Sequence, residues 1–506
     1  MSIQKRCVAD YTNLNVLIMG LGLNGGGLES ARYLAQRGAM LTITDLRDEA
    51  ALAQSLEKLR DIEGIRFVLG RHEMRDFENA DMVIKNPGVR RDSPFLRAAR
   101  RVETDISLFL ASSPARLIAV TGSKGKSSVA SAIHWGLTEA RKRGLMRGKA
   151  WLGGNIAVSP LSFLDELCPE DDVVLELSSW QLGDLRGKLF KPRIALLTTI
   201  LPDHQNYYNS MESYVADKRI IYQGQDSADL TIATDDVWGQ SFLRETSART
   251  LVYTENVLPA GVAGAWLLGG KVSDTEKVSD TRKVSDTEKV GGAGFARLAA
   301  DAEAFEVVPT KLLVPGRHQK KNLLATALAL LDLGLPAPFI RETLGAFPGV
   351  EHRLEFFHEV AGIRFYNDTT ATIPEAVVAA LEAFEAPLVL VCGGADKNID
   401  YSPLVQTAFK AKAIILLAGT STDKLRVLLD QVGLPYQGPF DALDSAIRAS
   451  FSAAEAGDVV VLSPGAASFG MFKNEFDRGC QWKDAVRRYS LSMFSGDKAQ
   501  NTGSAG

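Results

Sequence analysis

The chain has 506 residues, 46% apolar and 23% charged, with a net charge of −4. Such a length predicts about three domains with their own cores, and the near balance of charge excludes a general pull toward nucleic acid or anionic membrane. Cys7, Cys168, Cys392 and Cys480 lie far apart, excluding a disulfide scaffold or paired-cysteine zinc site, and with no signal-peptide core or 18-residue apolar run a soluble, cytoplasmic protein acting on small molecules is expected.

Short apolar strands at 15–19, 41–44, 81–84, 117–120, 173–177 and 194–198 alternate with helical stretches. After a break at Phe347-Pro348-Gly349 the alternation resumes, with strands at 387–391, 413–417 and 458–462. Alternation of this kind predicts an α/β chain of mostly parallel sheets covered by helices. The expected domains are 1–111, a Rossmann-like nucleotide domain; 112–346, a central phosphate-loop domain; and 347–506, a second Rossmann-like domain.

The first strand runs into Gly20-Leu21-Gly22-Leu23-Asn24-Gly25, and Asp45 closes the next strand. Glycines there admit a pyrophosphate close to the backbone, and an acid at that distance suits a ribose hydroxyl. The plain alternative is a structural tight turn. Further on, Gly122-Ser123-Lys124-Gly125-Lys126-Ser127 follows a strand and opens a helix that begins with Ser128. Backbone N–H groups at the glycines suit phosphate oxygens, Lys126 suits the β/γ phosphates, and the Ser127 hydroxyl suits Mg2+. This predicts ATP binding, although only two residues separate the glycines; the alternative is a polar surface turn. Two nucleotide sites in one chain have a single explanation if the first holds a nucleotide-linked substrate such as a UDP-sugar.

Glu176 ends a strand at the sheet edge where parallel folds place ligands, and suits a metal or a water. His204 follows the next strand, and Lys218 lies fourteen residues beyond it. Histidine is not the usual ligand of Mg2+, which prefers oxygen. Taken singly, Lys218 reads as a solvated helical lysine. The hexapeptide Lys-Val-Ser-Asp-Thr-Glu occurs three times between Lys271 and Val290, once with Arg282 in place of Glu. A period of six without large apolar residues cannot build a core, so about 269–292 is expected to be a mobile surface insertion. The tail after Gly496 is expected to be disordered.

In order along the chain these motifs, together with Gly153-Gly154-Asn155-Ile156, Glu176-Leu177-Ser178-Ser179-Trp180-Gln181-Leu182, Gly316-Arg317-His318 and Pro348-Gly349-Val350-Glu351-His352-Arg353, resemble the Mur ligases. Asn367-Asp368-Thr369-Thr370-Ala371-Thr372, Gly393-Gly394-Ala395-Asp396-Lys397 and Ser463-Pro464-Gly465-Ala466-Ala467-Ser468 extend the resemblance to nearly the whole chain. It implies an ADP-forming amide ligase of peptidoglycan precursor synthesis, and so of cell-wall growth, shape and division, that joins an amino acid to a UDP-linked acyl substrate through an acyl phosphate. Implied for ATP are residues 122–128, Asn322, Arg353 and Asp368, the last two when the third domain closes; for the UDP substrate, Gly20, Leu21, Gly22, Leu23, Asn24, Asp45 and Asn155. Implied for catalysis are Lys126, Glu176, His204 and Lys218, with Mg2+ held by Ser127, Glu176, His204 and a carbamylated Lys218.

Thr372, Lys397 and Ser468 match the acceptor pocket of the D-glutamate-adding branch, and two carboxylates call for a cation and hydroxyl donors. Thr370, Gln319 and Glu475 depart from that branch's pattern. The expected substrates are therefore UDP-N-acetylmuramoyl-L-alanine and D-glutamate, with a monomeric enzyme and neither nucleic acid nor membrane as partner. Alternatives are a Mur ligase for another amino acid such as L-glutamate, a folylpolyglutamate synthase-like ligase, which lacks the first domain, an NAD-dependent oxidoreductase, which leaves Lys126 without a role, and a non-enzymatic phosphate-loop switch.

Overall fold

Three sheets organise the chain in the computed structural model, which describes residues 10–22, 25–156, 158–202, 207–268 and 292–500. The first contains β1 (Asn15–Met19), β2 (Met40–Asp45), β3 (Arg66–Leu69), β4 (Met82–Lys85) and β5 (Val102–Glu103), all parallel, in the order β3-β2-β1-β4-β5. Val16, Leu17, Ile18 and Met19 are all buried, as a strand covered on both faces requires. Strand order reverses at β1, so the segments after β1 and β4 part and leave a crevice at their carboxyl ends.

The second sheet has nine strands: β6 (Arg116–Thr121), β7 (Ala150–Gly154), β8 (Asp172–Glu176), β9 (Ile194–Leu197), β10 (Leu230–Thr234), β11 (Arg249–Thr254), β12 (Gly264–Leu267), β13 (Gly294–Arg297) and β14 (Phe305–Val308). Their order is β14-β13-β12-β11-β10-β9-β6-β8-β7, parallel except for the last two additions at the β14 edge. The chain reverses direction across the sheet at β6, between β8 and β9, making a second switch point. The hexapeptide repeats lie outside the described residues; β12 and β13 on either side pair as an antiparallel hairpin with Leu267 opposite Gly294.

The third sheet, β15 (Glu355–Val360), β16 (Ile363–Asn367), β17 (Leu388–Cys392), β18 (Ala411–Leu417), β19 (Gln437–Phe440) and β20 (Val459–Leu462), has the order β15-β16-β20-β17-β18-β19. Only β15 runs antiparallel to its neighbour. The chain forms two compact units: Met1–Thr310 with Lys321–Leu344, holding the first two sheets, and Lys311–Lys320 with Gly345–Gly506, holding the third.

The α/β class and the three mostly parallel sheets agree with the sequence reading. The tail needs correction, because the final helix spans Glu475–Gln500: residues 497–500 continue a helix that Gly496 does not stop, since one interior glycine costs only about 1 kcal/mol. Residues 501–506 lie outside the described residues. No helix among the described residues is long and apolar enough to cross a membrane.

Candidate active site

The phosphate loop takes its shape from its glycines. Gly122 has φ 145°, and a Cβ there would overlap the Thr198 hydroxyl; Gly125 has φ 91°, and a Cβ there would lie 2.5 Å from Asn322 Oδ1. The left-handed turn at Gly125 starts the helix Lys126–Lys142, which is anchored on β8 by an apolar face of Val129, Ala132, Ile133, Leu137 and Ala140. The first N–H groups of a helix lack intrahelical partners and attract anions. Ser127 and Ser128 stand half-buried in that first turn, and Lys124 is exposed on the loop.

Loop and neighbouring segments are laced together. Ser123 N–H donates to Thr199 O at 2.9 Å, while its hydroxyl donates to Leu201 O at 2.9 Å and shares a 2.9 Å hydrogen bond with the Tyr214 hydroxyl. Lys126 Nζ folds over the loop and donates to Gly122 O at 3.0 Å and Ser123 O at 3.1 Å. Lys218, on the helix Met211–Lys218, is not solvated as a lone helical lysine would be. It is 1% exposed, and its Nζ donates to Gly122 O at 2.9 Å with the Tyr214 ring 4.5 Å away. Two ammonium groups thus converge on the Gly122 carbonyl.

Glu176, at the end of β8 beside β6, is 2% exposed. Its Oε1 accepts from Asn155 Nδ2 at 3.0 Å, and its main-chain oxygen accepts from Asn155 N–H at 2.7 Å, so Asn155 orients the carboxylate. Its Oε2 is buried with no hydrogen-bond partner among the described residues. A buried carboxylate oxygen left bare costs free energy unless a cation or donor completes it. A cation that prefers oxygen ligands, such as magnesium, is one group that would complete it. The described residues hold no cluster of three or more His, Cys, Asp and Glu side chains. His204 lies outside the described residues.

In the first sheet, Gly20 N–H donates to Thr44 O at 2.8 Å and Leu21 is fully buried. Asp45 is itself buried and accepts from Gly22 N–H at 3.2 Å and Arg47 N–H at 2.9 Å, so its carboxylate shapes the glycine turn. Leu23 and Asn24 lie outside the described residues. Asn86, not identified from sequence, donates to Gly20 O at 3.3 Å and lines the crevice with Lys85 and Asp105.

Within the second unit, Thr372, Lys397 and Ser468 follow β16, β17 and β20, three adjacent strands, at their carboxyl ends. Paired hydrogen bonds between Ala395 and Ala467, at 2.9 and 3.0 Å, and a 2.8 Å bond from Gly465 N–H to Ala371 O tie the three loops together. Beneath them Arg478, fully buried, donates to Thr369 Oγ1 at 3.0 Å, Thr369 O at 2.9 Å and Ala466 O at 3.2 Å; burial pushes its pKa down to about 10. Sequence reading missed Arg478, whose environment depends on residues over a hundred positions away. Of the departures, Thr370 Oγ1 donates to His352 O at 2.9 Å, Gln319 is 4% exposed, and the main-chain oxygen of Glu475 accepts from Thr369 Oγ1 at 2.8 Å.

Asp368, just past β16, is 7% exposed and accepts from Leu354 N–H at 3.0 Å and Ser463 Oγ at 2.8 Å. Burial pushes its pKa up to about 7, against the opposing pull of those two hydrogen bonds and of Arg353. Arg353 is exposed, in a turn closed by its N–H to Val350 O at 3.0 Å.

A glycine-turned phosphate loop beside an incompletely ligated carboxylate, at the switch point of a parallel sheet, defines a nucleotide-phosphate-binding α/β protein. Comparison narrows the class. The family models for the Mur ligase MurD-like N-terminal domain, the Mur ligase middle domain and the Mur ligase glutamate ligase domain match residues 14–107, 120–330 and 352–465. The chain is 41% identical to the UDP-N-acetylmuramoylalanine--D-glutamate ligase of Treponema pallidum, over 93% of this chain and 97% of that one. It is 38% identical to the protein of the same name from Borreliella burgdorferi, over 94% and 98%. In fold it is similar to the UDP-N-acetylmuramate-alanine ligase of Thermotoga maritima, with a TM-score of 0.54 at 20% identity over 95% of this chain and 100% of that one. The chain belongs to the Mur ligase family.

Proposed function

We propose that the protein is the ADP-forming ligase (EC 6.3.2.9) that joins D-glutamate to UDP-N-acetylmuramoyl-L-alanine in peptidoglycan precursor synthesis. The observation that carries this reading is the 41% identity, over 93% of this chain and 97% of the other, with a ligase of that name. The alanyl carboxylate attacks the γ-phosphorus of ATP and ADP leaves, giving an acyl phosphate. The amine of D-glutamate then adds to the acyl carbon, and the tetrahedral intermediate expels phosphate and a proton to leave the amide. Little covalent work falls to the protein in such steps; positioning and charge stabilisation dominate.

Lys126, at the helix start, is suited to neutralise the transferring phosphoryl group, and residues 122–128 to cradle the phosphates. Asn322, packed on Gly125, is assigned the adenine, and Arg353 and Asp368 the phosphate and ribose. Glu176 and Ser127 would hold Mg2+, joined by His204 and by Lys218 once its amine is carbamylated; bound there, the ion neutralises charge on the phosphate oxygens. Carbamylation supplies an oxygen ligand where an ammonium repels the cation. Gly20, Leu21, Gly22, Leu23, Asn24 and Asp45 are assigned the UDP moiety, Asn155 the acyl end, and Thr372, Lys397 and Ser468 the two carboxylates of D-glutamate. The reading places the enzyme in the cytoplasm as a monomer, with domain limits near 111 and 346.

The test is phosphate release from ATP with UDP-N-acetylmuramoyl-L-alanine and D-glutamate, L-glutamate, L-lysine or no acceptor. Release dependent on D-glutamate is expected. Dependence on L-glutamate would relocate the acceptor assignment to the pocket around Thr370 and Glu475, and no release with any acceptor would refute the ligase.

A further inference from the structure

Two buried carboxylates outside the proposed chemistry, Asp184 and Asp217, join the segment after β4 to those after β8 and β9. Lys85 Nζ donates to Asp184 Oδ2 at 2.6 Å, with both side chains at most 5% exposed. The next residue, Asn86, is the one bonded to Gly20 in the substrate crevice. Arg91 grips Asp217 with both terminal nitrogens, Nη1 to Oδ1 at 3.2 Å and Nη2 to Oδ2, and its Nε lies 3.9 Å from Asp184 Oδ1. Asp217 also accepts from Arg186 Nη2 at 2.9 Å and from the Tyr208 hydroxyl at 2.9 Å.

The residue after Asp217 is Lys218, whose Nζ reaches the Gly122 carbonyl of the phosphate loop. A continuous path therefore runs from the crevice after β1 through Asn86, the segment to Arg91, Asp217 and Lys218 to the phosphate loop. The guanidinium has a shaped seat. A Cβ at Gly183, inside the helix Ser179–Asp184 that follows Glu176, would overlap Arg91 Nη1 and lie 2.6 Å from Asp217 Oδ2. Arg91 thus touches the helix that starts just after Glu176 and the helix that carries Lys218. A bidentate arginine–carboxylate pair fixes orientation as well as distance, which a point-charge ammonium does not.

We propose that Arg91 is a positioning residue of the ligase, acting through Asp217 to hold Lys218 and the segment after Glu176 in register with the UDP-substrate crevice. This rests on the ligase reading, so the wild-type enzyme is assayed first. The experiment measures kcat, KM and thermal melting for the full-length Arg91→Met, Arg91→Lys, Arg91→Ala and Asp217→Asn variants and the Arg91→Met/Asp217→Asn double variant. Misplacing reacting groups by about 1 Å costs about 100-fold in rate; accordingly, Arg91→Met is expected to lower kcat about 10- to 100-fold, with KM for D-glutamate changed by less than about twofold. The double variant is expected to be no slower than the worse single variant, because contacting residues in one network are not additive. Added guanidinium ion is expected to restore part of the Arg91→Ala rate, which a merely destabilised fold would not allow. If Arg91→Met does not fold, Arg91→Lys carries the same kcat test. Variants with kcat within about twofold of wild type, or multiplicative losses in the double variant, would overturn the proposal. An inactive wild type would instead refute the ligase reading and this inference with it.

Discussion

Asp368→Asn tests the electrostatics of the second unit. The carboxyl is buried, and its pKa stands at about 7 against the ordinary 3.8. In native protein the proton stays on up to pH 7, whereas the unfolded chain releases it near pH 4. The contribution of this carboxyl to stability is therefore greatest below about pH 4, falls as pH rises toward 7, and is flat above. At about 1.4 kcal/mol per tenfold change, the full loss is on the order of 4 kcal/mol. Between pH 5 and pH 8 the part still to be lost is about 2–3 kcal/mol. Asparagine keeps the shape and an acceptor for Leu354 N–H, and Ser463 can turn its hydroxyl to accept from the amide. Urea unfolding of both proteins at pH 5 and pH 8 should show the variant gaining about 2–3 kcal/mol relative to wild type over that interval. A stability difference, variant minus wild type, that stays constant or falls as pH rises would refute the assignment of a buried, proton-holding carboxyl.

Lys126→Ala is expected to reduce phosphate release by at least about 10²-fold if, as proposed, it removes the charge that neutralises the transferring phosphoryl group; unchanged turnover would remove its role. Lys218→Ala is expected to be nearly inactive and partly rescued by short carboxylic acids, and full activity without additive would exclude a carbamate ligand. Gly122→Ala forces a side chain onto Thr198 at a left-handed φ of 145°. A loss of about 1–3 kcal/mol is expected, eased in part by Thr198→Ala, and an unaltered melting temperature would contradict the observed loop geometry.

Much of this protein is legible from its residues in order. The alternation of apolar strands and helices, the glycine turn after β1 and the phosphate loop after β6 depend on neighbours in sequence, because a few consecutive N–H groups and one glycine conformation suffice to build a phosphate cradle. Parallel topology brings strand ends to one edge, but that the loops carrying Thr372, Lys397 and Ser468 are neighbours follows from the order β16-β20-β17, which the sequence does not show. Burial and pairing across distance were not legible. Taken singly, Lys218 reads as a solvated residue, yet the fold carries it to Gly122, and nothing local in the sequence shows that Asn155 holds Glu176. Arg91 and Asp217 lie 126 positions apart, and the only local sign of their meeting is a glycine inside the helix at 183. Which carboxylate keeps its proton, which buried oxygen lacks a hydrogen-bond partner and which arginine is clamped all depend on groups distant in sequence, and that is decided only when the chain packs.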